Sequence, residues 1–152
     1  MYSLSSVLKV PIVYTSLLYL IPTILAWIKE KFVLSILLGG VTLFSTAHHI
    51  TATSRWRFNQ HLFPRDIVDY LYRLDILFAF FSLAYISYFI YNGELSEPKL
   101  YYFTVIITLL SFITFFFGRI QDNISIRDNM HSCWHIFSSL ALVLFILSWD
   151  SK

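Results

Sequence analysis

The chain is poor in charge. Only 13% of its 152 residues are Asp, Glu, Lys or Arg, against about 25% in a typical soluble domain. It has a single cysteine, Cys133, which excludes a disulfide-stapled scaffold. Internal repeats and low-complexity tracts are absent, and a formal net charge of +2 is too small to point to nucleic acid. In their place stand 57% hydrophobic and 19% aromatic residues, with a mean hydropathy of +0.67. A soluble globule of this length has too little interior to hide so many Phe, Leu and Ile side chains. Disorder is excluded for the opposite reason, since the chain has far too much to bury. A multidomain soluble enzyme is excluded as well. Residues 1–152 read as a single integral membrane domain.

The missing charges are missing in blocks. Residues 10–28, 32–54, 76–93, 100–118 and 129–149 hold no Asp, Glu, Lys or Arg. Each block is about 18–23 residues long, and about 20 cross a hydrocarbon core at 1.5 Å per residue. The blocks are continuously apolar rather than alternating, so they predict helices and not a barrel. The expected fold is an all-α bundle of about five transmembrane helices, near 10–28, 32–54, 71–92, 99–118 and 130–149. The intervening residues suit helix ends. Lys29-Glu30-Lys31 makes a polar turn, Asn92-Gly93-Glu94 ends the third helix, Ser96 and Pro98 suit the start of the fourth, and Asp128 suits a cap for the fifth. Pro22 is expected to kink the first helix, and Gly39-Gly40 to admit a close neighbour to the second. The first apolar run is long, and no small-residue cleavage site follows it, so it is expected to be a retained helix and not a signal peptide.

Five spans put the two ends of the chain on opposite faces. Lys9, Arg55, Arg57, Arg65, Arg73, Arg119 and Arg127 fall on the N-terminal face, and Lys29, Lys31, Lys99 and Lys152 on the other. This excess makes the N-terminal face the expected cytoplasmic one. Trp27, Tyr91, Tyr101, Tyr102 and Trp149 at one end, and Trp56, Tyr70 and Tyr72 at the other, suit two interfacial belts.

Polar side chains inside a span are costly and mark function by default. Ser45 and His49 lie near the end of the second helix, Asp75 near the start of the third, and His131 and His135 at the start of the fifth. Helix direction puts all of these at similar depth beneath the N-terminal face. His131 and His135 are i, i+4 and share one helix face, as do Ser45 and His49. Three imidazoles with an open fourth position is the pattern of a catalytic zinc site. Cys133 lies off the face of the two histidines and is excluded as a ligand. Asp75 has no ion-pair partner on its own helix, so another helix must compensate its charge.

Blander readings compete. An isolated H-x3-H is more often a pair of histidines at headgroup level than a metal site. His48 sits off the Ser45/His49 face, His61 belongs to an arginine-bearing loop, and Asp66 and Asp69 suit a loop or helix start. The loop arginines suit headgroup phosphates or topology rather than catalysis. A haem protein is disfavoured, because axial ligands approach iron from opposite sides while His131 and His135 share one face.

The order Ser45-x3-His49, Arg73-Leu74-Asp75, His131-x3-His135 with Trp134 before the last His resembles the CREST superfamily of membrane hydrolases. That superfamily includes the alkaline ceramidases, the progestin and adipoQ receptors, GPI-remodelling proteins and myomaker-related proteins. The resemblance implies Zn2+ on His49, His131 and His135, with Asp75 and Ser45 beside the reacting water. It implies a hydrolase that cleaves a lipid amide or ester within the membrane. A non-catalytic signalling or remodelling protein with a structural zinc is the alternative. Typical members have seven spans. Five preserve the parity that keeps the site on one face but leave the substrate cavity short of a wall, which a homo-oligomer could complete.

Overall fold

A computed structural model describes residues 4–56, 63–92 and 98–149. The regular elements are helices throughout: α1 (Leu4–Leu8), α2 (Pro11–Ser16), a 3₁₀ turn (Leu17–Tyr19), α3 (Leu20–Ile28), α4 (Phe32–Trp56), α5 (Arg65–Tyr91), α6 (Pro98–Arg119) and α7 (Ile124–Ser148). Among the described residues, five spans are long and apolar enough to cross a membrane, the first being Pro11–Ile28, which joins α2, the 3₁₀ turn and α3. The five-span, all-α bundle expected from the charge-free blocks is the architecture observed.

The first span is central. It packs on both α4 and α7, while α5 makes backbone contact with α4 and α6 with α7. Two hairpins, α4–α5 and α6–α7, are therefore joined through one irregular helix. Its irregularity follows from Pro22, which has no N–H to give to the carbonyl of Leu18. The helix tightens into the 3₁₀ turn just before that proline, and Ser139 of α7 donates its hydroxyl to the Leu18 oxygen at 2.9 Å. Tyr19 reaches Ser138 of α7 at 2.5 Å. On the opposite side Ser16 meets Thr46 at 2.9 Å, and Ser35 of α4 donates to the Thr23 carbonyl at 2.9 Å. Such bonds are the glue available between helices that lipid surrounds.

Only 6% of the apolar window of α5 and 11% of that of α6 is buried, against 39%, 44% and 33% for the other three spans. The outer helices thus bury few residues fully, although Tyr85, Ile86, Phe89 and Ile90 of α5 pack partly against the core. Gly40 is where α5 comes closest, since a Cβ there would stand 2.0 Å from the Phe78 ring. The expected close approach at Gly39-Gly40 is therefore made by Phe78 at Gly40. At the far end, Trp149 stacks on Phe89 with ring centroids 4.2 Å apart, beneath the Lys31 ammonium 4.1 Å from its ring.

Three expectations change. Trp149 is 2% exposed and belongs to the core rather than an interfacial belt, because the Phe89 and Phe145 rings and Lys31 close over it. Asp128 does not cap α7. Asn123 does, its Oδ1 accepting the N–H groups of Ser125 at 2.9 Å and Ile126 at 3.3 Å. Helices α5 and α7 also begin at Arg65 and Ile124, about six residues before the expected starts; Asn123 caps α7, while α5 follows Pro64 without a side-chain cap, and both run on through polar residues outside the hydrocarbon. Asp66 accordingly lies in the first turn of α5, where a carboxylate complements the helix dipole. Ser96 and His61 lie outside the described residues.

Gly40→Ala is expected to lower the thermal stability of the detergent-purified protein, by about 1–3 kcal/mol for an overpacked contact. The loss should be smaller in a Phe78→Ala background, where the obstructing ring is gone.

Candidate metal centre

The end of α4 and the start of α7 make no backbone contact, yet their histidine rings meet. The centroids of His49 and His131 are 5.0 Å apart, those of His49 and His135 5.0 Å, and those of His131 and His135 4.8 Å. One nitrogen from each of the three rings lies within 4.8 Å of the other two. A cation at their centre stands no more than about 2.8 Å from each, so about 0.7 Å of ring movement gives the 2.0–2.1 Å of a metal–imidazole bond. The three histidines lie close enough to hold one metal ion. Cys133 and His48 are not part of the group, as their helical positions led one to expect.

The donor set fits a cation. His49 is 6% exposed and its Nε2 has no hydrogen-bond partner; a buried polar nitrogen left bare is expensive. His135 Nδ1 lies 3.3 Å from Thr15 Oγ1, and that hydroxyl already gives its proton to the Pro11 carbonyl at 2.8 Å. The imidazole must then donate through Nδ1–H, which leaves the Nε2 lone pair turned to the cluster. The Tyr19 ring meets the His135 ring edge-on at 5.7 Å. His131 is the least buried of the three and borders a cavity of about 370 Å³ that opens between the ends of α5 and α6.

Asp75 is only partly buried and takes a hydrogen bond from Ser45 of α4. The partner that another helix gives Asp75 is thus a hydroxyl one turn from His49. Asp75 is also within electrostatic reach of Tyr19, so Ser45, Asp75 and Tyr19 form a polar group just beneath the histidines.

Thr15 and Tyr19 are the residues that sequence reasoning missed. Their signal was present: two polar side chains at i, i+4 in an apolar first span, the same spacing that singled out the histidines. They went unread because the other polar positions were sought near span ends.

Compared with family models, with characterised proteins and with solved structures, the chain finds no match.

Protein purified in the presence of a divalent metal should carry about one ion per chain by elemental analysis, and His49→Ala, His131→Ala and His135→Ala should each lose it. Cys133→Ser should keep it, and Thr15→Val should weaken binding by about 10–100-fold by freeing the His135 ring.

Proposed function

We propose that the chain is a zinc-dependent membrane hydrolase that cleaves an amide or ester bond of a lipid, with His49, His131 and His135 as the metal ligands. The observation that carries this reading is the convergence of three imidazoles from two helices within 4.8 Å, beside a cavity that His131 and His49 line, with Asp75 bonded to Ser45 one helical turn from His49. Three neutral nitrogens and an open position suit zinc over harder ions. Zinc bound there supplies Lewis acidity toward a carbonyl oxygen and brings the pKa of water toward about 7.

The chain's own groups divide the remaining work. His135 is oriented by Thr15, and His49 by its place on α4 one turn above Ser45. Asp75 accepts the proton of the attacking water on a carboxylate oxygen and returns it to the departing amine or alkoxide. Water adds across the C–N or C–O bond, giving a fatty acid and an amine or alcohol. Ser45 holds the carboxylate in place through the bond it donates. The substrate is a lipid because the site lies inside the apolar slab, and the face bearing it is the cytoplasmic one by its basic excess. The order of motifs supports the CREST resemblance.

One observation favours a second reading. Because α4 and α7 have no backbone contact, an ion shared by His49 and His131 would tie the two hairpins together whether or not it reacts. In that case the metal is a structural clip in a signalling or membrane-remodelling protein.

Asp75→Asn separates the readings. For the hydrolase, metal content stays at the wild-type level while turnover of ceramide and phospholipid substrates falls by about 10²–10⁴-fold, the usual contribution of a general base. Cell function that survives Asp75→Asn but is lost with His131→Ala supports the clip and overturns the enzyme.

A further inference from the structure

His135 is the most deeply set of the three imidazoles, 2% exposed, and it is the one that the first span holds. Thr15, Leu18 and Tyr19 stand at i, i+3 and i+4 on that span, so they share one face. His135, Ser138 and Ser139 repeat the same spacing on α7. The two faces mesh position by position. Thr15 meets His135 at 3.3 Å, the Leu18 carbonyl takes the Ser139 hydroxyl at 2.9 Å, and Tyr19 meets Ser138 at 2.5 Å.

The proton directions are fixed as well. Ser138 gives its hydroxyl proton to the Trp134 carbonyl at 2.6 Å. Its Oγ is then an acceptor, and the Tyr19 hydroxyl donates to it. One turn earlier the sense is reversed, since His135 of α7 donates to Thr15 of the first span.

A hydrogen bond at Nδ1 holds an imidazole by one corner. About that corner the ring can still swing, and Nε2 swings with it. The Tyr19 ring closes off that motion. It stands edge-on to His135, with centroids 5.7 Å apart and planes 65° apart. Tyr19 is itself buried, and its ring is tied down by the bond to Ser138, one helical turn beyond His135.

We propose that Tyr19 is a positioning residue of the metal centre, its hydroxyl anchored on Ser138 so that its ring keeps His135 turned toward His49 and His131. The inference rests on the metal site of the proposed hydrolase and not on turnover. Thr15 decides which nitrogen of His135 is free, and Tyr19 decides where that nitrogen points.

Co2+ serves as the probe, because it accepts nitrogen ligands as zinc does and its visible d–d bands report their geometry. Titrated into detergent-purified wild-type protein, it should bind at about one ion per chain. Tyr19→Leu removes ring and hydroxyl together, and should weaken Co2+ binding by about 10–100-fold and shift the bands. Tyr19→Phe keeps the ring but frees it, and should weaken binding by about 3–10-fold, as for one lost hydrogen bond. In a Ser138→Ala background the Tyr19→Phe change should have much less effect, since the anchor is already gone. Ser35→Ala is the control. It removes a bond that α4 gives to the Thr23 carbonyl, two helical turns from Thr15. It should lower thermal stability and leave the Co2+ affinity and bands at their wild-type values.

Wild-type affinity and bands in Tyr19→Phe overturn the proposal, whether or not Tyr19→Leu folds. A Ser35→Ala protein that changes as much as Tyr19→Phe overturns it too, since the effect is then one of general stability. A wild-type protein that takes up no Co2+ overturns the metal site itself, and with it the hydrolase reading.

Discussion

The arrangement depends on hydrogen bonds donated and accepted by the first span. Inside a bilayer the lipid tails are as apolar as Leu, so burying apolar surface between helices gives little association energy. The hydroxyl bonds that link Ser16 to Thr46, Tyr19 to Ser138 and Ser139 to Leu18 therefore do what a hydrophobic core does in water. They hold two helices that never touch along their backbones at a separation where their histidine rings meet. Pro22 is part of the same device, because the Leu18 carbonyl, to which it has no N–H to give, is the one that accepts the Ser139 hydroxyl from α7.

The polar groups are layered. Nearest the N-terminal face is the arginine-lined cavity, below it the three imidazoles, and below them Ser45, Asp75 and Tyr19. Each layer draws on more than one hairpin or on the first span. An ion at the middle layer would consequently sense movement of either hairpin. The opposite end is closed by Trp149 and its aromatic neighbours.

Much of the fold was legible because charge is forbidden in hydrocarbon and its absence marks each span directly. The ends of α5 and α7 were not, since helix continues through Arg65-Asp66 and Ser125-Ile126-Arg127, where charged residues interrupt the apolar run. The histidine trio could be read from i, i+4 spacing and helix direction together, as these fix face and depth. The Ser45–Asp75 bond could be anticipated only as the need for a partner, because which helix lies beside Asp75 is a matter of packing at Gly40 and Phe78. Trp149 misled because an aromatic at the end of an apolar run looks the same whether lipid headgroups or Phe89 cover it. Thr15 was hidden by its own ordinariness, since like Ser16 and Thr23 it gives its proton to its own helix turn.

The division of the three histidines between hairpins bears on how the bundle assembles. His49 arrives with the α4–α5 pair, while His131 and His135 arrive with α6–α7. Neither pair can capture an ion with more than two nitrogens until the first span has drawn them together. Any ion shared by all three imidazoles would therefore enter only after both pairs have packed against the first span, late in the folding of the bundle.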